Sequence, residues 1–170
     1  MPPVPHQQDS PHRQARLIAL AGSLLTAGLA IYLTARPASL FGPLAPAWHL
    51  PASVPPPLRT MLGSAPTFVH VIAFILITAA LVRRDRRATI LVCGAWALTE
   101  ILLETLQLRS VGGWLLAHEV IRSAPFATRH LAGTFDPLDI LAALLGAALS
   151  ARFLTRSRPV PLPLPLSRTP

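Results

Sequence analysis

Four long apolar runs divide the chain, and each lies between segments rich in arginine, proline or glycine. The runs cover approximately residues 17–35, 62–82, 88–108 and 137–154. A helix that crosses a hydrocarbon core of ~30 Å needs about 20 residues at ~1.5 Å per residue. The four runs therefore predict an all-α membrane protein, built as a bundle of four transmembrane helices.

The first run also raises the question of a signal peptide. The apolar core of a signal peptide spans about 7–15 residues and precedes a site of small residues. Leu17–Ala35 is longer and leads into Arg36 and Pro37, so we interpret it as an uncleaved span. Small residues recur within it at four-residue spacing, which is typical of close helix packing; they are Ala19, Ser23 and Ala27.

The segments between and beyond the runs are polar or proline-rich. Residues 1–16 are expected to form a disordered tail and residues 155–170 a proline-rich extended tail. Residues 36–60 contain many prolines and predict an irregular connection. The long connection after the third run is expected to hold a short interfacial helix over Trp114–Ile121.

Composition supports a membrane protein and argues against a nucleic-acid partner. Apolar residues make up 52% of the chain and charged residues 13%, whereas about 25% of a soluble domain is charged. The net charge of +8 results from 15 basic residues against 7 acidic ones, and all of the basic residues are arginines. Because most of them flank apolar runs, they indicate topology rather than nucleic-acid binding.

Arginine also predicts the orientation of the chain. Ten arginines lie in the two tails, in the second connection and, as Arg152, at the end of the fourth run, whereas five lie in the first and third connections. Because cytoplasmic segments carry an excess of basic residues, both termini and the Arg83–Arg87 connection are expected in the cytoplasm of a multi-pass cell-membrane protein. The single Cys93 cannot form an intramolecular disulfide, and we interpret it as a packing residue.

The third run carries polar residues that membrane helices normally avoid. At ~100° per residue, Glu100, Glu104 and Gln107 fall within about 60° of one another. Trp96 and Cys93 extend the same helix face toward its start. A carboxylate inside a bilayer is costly and normally faces protein or a water-filled cavity. Other helices are therefore expected to present polar groups to this face.

The second and fourth runs supply the candidate partners. At ~1.5 Å per residue, His70, Glu100, Glu104, Asp136 and Asp139 all fall in the outer half of the bilayer. We therefore predict one outward-facing polar pocket. One side of the fourth helix should line it, through the sequence Asp136, Asp139, Ala143, Gly146 and Ser150.

Each of these residues also has a purely structural explanation. His70 has the character of a satisfied buried histidine, and Arg109 that of an ordinary interfacial arginine. Asp136 precedes Pro137 and fits an N-cap with proline at the first helical position. Only the convergence of several ionisable groups at one depth favours a functional site.

The polar pattern resembles the VanZ-like membrane proteins. The resemblance rests on His70-x-x-x-Phe74, on Glu100, Glu104 and Gln107, and on the sequence GTFDPLDILAALLGA. It covers approximately residues 67–151 and implies a cell-envelope role, as for the family member linked to resistance to the glycopeptide teicoplanin. The family often has Asn where this chain has Ala143, which implies a smaller polar network and a divergent member.

Three classes of function stay open from the sequence. The first is an envelope protein that binds membrane lipids, a lipid-linked precursor or another amphiphilic ligand, with anion contacts from arginine; these arginines are Arg109, Arg122 and Arg129. The second is a membrane-embedded hydrolase or transferase that uses the Glu, Asp and His side chains. The third is a small proton-coupled carrier, which would have to dimerise. No cofactor or metal is expected, and oligomers are allowed.

Overall fold

The structure, a computed structural model, describes residues 11–35, 53–82, 85–118, 123–131 and 133–156. Within these ranges all regular elements are helices, which we number in chain order: α1 Pro11–Ala35, α2 Pro56–Leu81, α3 Arg86–Leu106, α4 Arg109–Leu116, α5 Pro125–Leu131 and α6 Pro137–Arg156. Four of them, α1, α2, α3 and α6, are long and apolar enough to cross a membrane. The predicted all-α membrane fold with four spanning helices is therefore confirmed.

Two of the spanning helices begin earlier than the sequence predicted. α1 begins at Pro11 and α2 at Pro56, each six residues before the predicted span. The first six helical residues of α1 had been assigned to the disordered tail 1–16, and residues 1–10 lie outside the described ranges. Proline is well tolerated here because the first N–H groups of a helix have no intrahelical acceptor. At the other end of the chain α6 continues to Arg156, and residues 157–170 lie outside the described ranges.

α1 packs against α2 through a different face from the predicted one. Ala19, Ser23 and Ala27 are exposed, so the expected small-residue packing face is wrong. The buried positions are Leu17, Ala21 and Gly28, which form a helical stripe. A Cβ atom built on Gly28 would lie 3.3 Å from Val69 Cγ1, so this stripe meets α2 closely.

α2 and α3 form an antiparallel hairpin. Asp85 caps α3, because its Oδ1 accepts a hydrogen bond from the Ala88 N–H at 2.6 Å. Further along, Trp96 Nε1 donates to Thr78 Oγ1 at 2.9 Å. The Trp96 ring also stacks on Phe74, with 4.7 Å between the ring centroids. These contacts fix the level of α3 against α2.

α6 packs between α2 and α3 through its small residues. A Cβ atom built on Gly146 would lie 2.9 Å from the Phe68 carbonyl oxygen, so the backbones of α2 and α6 approach closely. Ala143 and Ala147 are buried beside Cys93 and Ala97 in the same apolar core. Asp139, Ala143, Gly146 and Ser150 are buried, so this side of the helix faces the protein. Asp136 is only half-buried, and the expected lining of a pocket by this side stays a prediction.

The connection between α3 and α6 contains two short helices. The first, α4, starts two residues after α3, so the short helix expected over Trp114–Ile121 lies earlier in the chain. Gly112 allows this early start: a Cβ atom there would lie 2.9 Å from the Leu106 carbonyl oxygen and 3.0 Å from that of Leu131. The chain therefore folds back over the end of α3 rather than leaving it as an extended loop.

Candidate functional site

Glu104 joins the end of α3 to the start of α6. Only 7% of this residue is exposed, so its carboxylate points into the protein and not toward lipid. Its Oε1 accepts a hydrogen bond from Gln107 Nε2 at 3.2 Å, and its Oε2 accepts one from the Asp136 backbone N–H at 3.2 Å. The carboxylate thus holds two segments that are 32 residues apart in sequence.

Gln107 is positioned by the connection that follows it. It is the C-cap residue of α3, and its side-chain amide lies so close to Gly133 that a Cβ atom at that position would collide with Gln107 Oε1. His130 adds a second contact, because its ring Nε2 lies 3.2 Å from the Leu103 carbonyl oxygen. The segment before α6 is therefore packed directly on the last turn of α3.

The two aspartates of α6 have different surroundings. Asp136 is the N-cap, as predicted: its Oδ1 accepts a hydrogen bond from the Leu138 N–H at 2.9 Å. Asp139, one turn further on, is only 2% exposed and is among the most fully buried side chains. A carboxyl group inside a membrane-spanning helix is costly and normally faces protein, and Asp139 lies within electrostatic reach of Glu100 on α3.

Glu100 completes a set of three neighbouring carboxyl groups. It is half-buried on α3, one turn before Glu104. Its carboxyl group lies within electrostatic reach of the carboxyl groups of Glu104 and Asp139. We call these three residues, Glu100, Glu104 and Asp139, the carboxyl cluster. The helix face predicted from the spacing of polar residues thus meets acidic residues of α6.

His70 is not brought to the carboxyl cluster by any described contact. Its ring lies 6.1 Å from the Phe74 ring, and its Nε2 lies near Gly28 of α1. Phe68 and Ile72 meet Gly146 of α6, so His70 is level with Gly146. Because Asp139 precedes Gly146 by seven residues, His70 lies roughly 10 Å along the helix axis from the level of Asp139.

The arginines assigned to anion binding are not seen to contribute. Arg109 is exposed at the first position of α4, and no side-chain hydrogen bond or ion pair is found for it within the described part of the chain. Arg122 lies outside the described residues, and only the backbone of Arg129 is described. In the part of the site that the structure describes, the carboxyl cluster therefore has no arginine side chain shown in contact with it.

Sequence reasoning missed Ser64, a polar residue on the first half of α2. It is buried, and its hydroxyl has no hydrogen-bond partner among the described residues. Because α2 and α6 run parallel and Phe68–Ile72 meets Gly146, Ser64 lies close to the level of Asp139. Ser64 precedes Phe68 by one helical turn, which is the sequence feature that could have pointed to it. Serine is so common in membrane helices that this feature alone does not identify a site.

The chemistry of the cluster is that of hydrogen-bond acceptors and proton carriers. Ionised carboxylates accept hydrogen bonds and attract cations, and protonated ones can also donate. Among the described residues no group of three His, Cys, Asp or Glu side chains is arranged to hold a metal ion. The arrangement therefore fits the binding of a polar, donor-rich group or the binding of protons.

Comparison with known proteins adds no further constraint. No protein-family model, no curated protein and no solved structure matches this chain. Its function must therefore be inferred from the geometry described above.

Proposed function

We propose that this chain is a VanZ-like protein of the cell membrane, in which the carboxyl cluster binds the polar headgroup of an amphiphilic ligand. The observation that carries the proposal is that the carboxyl groups of Glu104 and Asp139 lie within electrostatic reach of Glu100 at one end of the bundle. Three carboxyl groups at this depth are costly for a membrane protein. A ligand with several hydroxyl or ammonium donors would offset that cost.

The resemblance in polar pattern supports the same proposal. The residues that carry it include Glu104, Gln107 and Asp136, and these three are joined by hydrogen bonds. In the VanZ-like family this pattern goes with an envelope role. A lipid-linked envelope precursor combines an apolar tail with a donor-rich headgroup, so it is the ligand class that we propose.

The orientation of the chain supports a role at the outer leaflet. The excess of arginine predicts a cytoplasmic location for both termini and for the connection between α2 and α3. In that orientation the end of α3 and the start of α6 lie at the outer side of the membrane, and so does the cluster. The exposed apolar side chains of α3 and α6, such as Leu102 and Leu141, would contact the tail of the ligand.

The direct test is to identify amphiphiles that co-purify with the protein. The full chain is purified in a mild detergent, and its lipid extract is analysed by mass spectrometry beside that of the membranes it came from. We expect enrichment of a species with hydroxyl or ammonium groups in its headgroup. Glu100→Gln should reduce the enrichment, because it removes one charge from the cluster.

Asp85→Asn is the matched control for this experiment. It removes one carboxylate at the opposite end of α3, and asparagine also caps helices well. An extract with the same composition as the membrane would contradict the proposal. Equal loss of the bound species in Glu100→Gln and Asp85→Asn would contradict it as well.

The electrostatic interaction of Glu100 with the carboxyl groups of Glu104 and Asp139 also favours one alternative, a proton-coupled carrier. Interacting carboxyl groups inside a membrane are typical of proton pathways. If the cluster carries protons, acidification of the outer side of sealed vesicles should drive proton entry that Glu100→Gln abolishes. The hydrolase or transferase alternative predicts a different result. The purified protein would contain a stoichiometric metal ion, or it would convert the co-purified species into a product.

A further inference from the structure

A second polar site lies at the other end of the bundle, where α3 begins and α6 ends. The two helices leave a groove of about 460 Å³ that is lined by Arg86, Ile90, Ala151, Arg152 and Thr155. The groove belongs to neither the carboxyl cluster nor the hydrogen bonds that hold it. It lies at the opposite end of α3.

The lining combines positive charge with an apolar wall. Arg86 and Arg152 are exposed and come from different helices. Neither of them forms an ion pair or a side-chain hydrogen bond within the described ranges. Ile90 and Ala151 supply the apolar part of the wall, and Thr155 adds a hydroxyl group. The groove therefore offers two guanidinium groups beside an apolar surface, with no acidic side chain in its lining.

The position of the groove matches the boundary between membrane and water. Arg86 is the first residue of α3, and Arg152 lies in the last two turns of α6, at the end of its apolar stretch. Arginine near a helix end extends its charged group toward the interface while its stem covers apolar surface. Both guanidinium groups are thus expected at the level of the lipid headgroups.

We propose that this groove binds the phosphate headgroup of an anionic phospholipid. The two arginines contact the phosphate, with Arg86 and Arg152 approaching it from opposite sides, and the first acyl-chain carbons lie against Ile90. Basic pockets between membrane helices bind acidic headgroups in this way. A protein with a net charge of +8 also gains affinity for an anionic leaflet in general, so the experiment must separate this groove from diffuse attraction.

The experiment compares two charge-matched double variants of the full chain. Arg86→Gln with Arg152→Gln removes both groove charges. Arg87→Gln with Arg156→Gln removes two charges from the same helices, at exposed positions outside the groove lining. Each protein is titrated in detergent with phosphatidylglycerol and with phosphatidylcholine, and bound lipids are counted by native mass spectrometry.

We expect the unmodified chain to bind phosphatidylglycerol more tightly than phosphatidylcholine. The groove variant should lose affinity for phosphatidylglycerol by about fivefold for each arginine, and the control variant should lose less than about twofold. Three results would overturn the proposal: equal retention of the two lipids by the unmodified chain, equal losses in the two variants, or displacement of the lipid by millimolar inorganic phosphate. The first of these results is measured on the unmodified chain. It therefore tests the proposal even if a variant folds poorly.

Discussion

Glu104 accepts hydrogen bonds from two donors of different kinds, the amide of Gln107 and the backbone N–H of Asp136. A carboxylate suits this position because both of its oxygens are acceptors. A glutamine has only one acceptor oxygen, so its amide nitrogen would face a donor. The isosteric substitution is therefore not structurally silent at this position.

We predict that Glu104→Gln lowers the free energy of unfolding by about 1–3 kcal/mol, the cost of leaving a buried hydrogen-bonding group unsatisfied. Glu100→Gln is the contrasting variant, since no hydrogen bond of Glu100 is found in the described part of the chain and like-charge repulsion is relieved. It should leave the unfolding free energy unchanged or higher. Denaturant unfolding of both purified proteins in mixed micelles measures the difference, and equal destabilisation would contradict the assigned roles.

Gly133 is the residue on which the position of Gln107 depends. A Cβ atom there would collide with Gln107 Oε1 and lie 2.9 Å from the His130 carbonyl oxygen. Gly133→Ala should therefore lower the unfolding free energy by about 1–3 kcal/mol, as overpacking does. Gly113→Ala is the control, because nothing lies within 4 Å of its added Cβ. A Gly133→Ala protein as stable as the control would show that this packing is not required.

The residue-level content of the site was only partly predictable from sequence. Helical spacing correctly placed Glu100 and Glu104 on one face, and the Asp136–Pro137 pair correctly predicted a cap. The partner of Glu104 Oε2 is a backbone N–H, which no side-chain pattern can reveal. The membership of His70 and Arg109 in one shared pocket stays a prediction, because depth alone does not fix the direction of a side chain.

Among the helices, α2 and α6 bring their backbones close together where they cross. This close approach depends on Gly146, whose added Cβ would lie 2.9 Å from the Phe68 carbonyl oxygen and 3.5 Å from Val71 Cβ. Small residues allow such approaches in membranes, where packing replaces the hydrophobic effect between helices.

We predict that Gly146→Ala separates α2 and α6 and destabilises the bundle by about 1–3 kcal/mol. Gly94→Ala is the matched control in α3, since its Cβ would meet no atom within 4 Å. Thermal unfolding of the purified proteins in one detergent compares them. A midpoint that falls equally in the two variants would contradict the role of the crossing.

The sequence predicted the presence of the four spanning helices well. It predicted the ends of these helices and the faces through which they pack less well. Apolar run length correctly identified the four spanning helices. The start of α1 was predicted late because the polar, proline-rich residues before Leu17 favour disorder. α2 begins earlier than predicted because proline is tolerated in the first turn of a helix. The predicted face of α1 was wrong because Ala19, Ser23 and Ala27 form a helical stripe much as Leu17, Ala21 and Gly28 do. Only the partner helix selects between such stripes.

For the whole molecule, the main prediction concerns membrane topology, that is, which side of the membrane each connection between the spanning helices faces. If all four helices cross the membrane, both termini lie on one side, and the arginine excess predicts that this side is the cytoplasm. Reporter domains fused after Arg36, Arg86, Gly113 and Arg158 should read outside, inside, outside and inside. A cytoplasmic reading after Gly113 would contradict the orientation, and with it the proposed position of the carboxyl cluster at the outer leaflet.

The central claim is that the carboxyl cluster carries function and does not merely hold α3 to α6. The most direct measurement is complementation of a deletion strain by the Glu100→Gln, Asp139→Asn double variant, with membrane abundance determined in the same cells. We predict normal abundance together with loss of whatever envelope phenotype the unmodified chain restores, including tolerance to envelope-targeting antibiotics. Full restoration of that phenotype by a normally abundant double variant would contradict the claim.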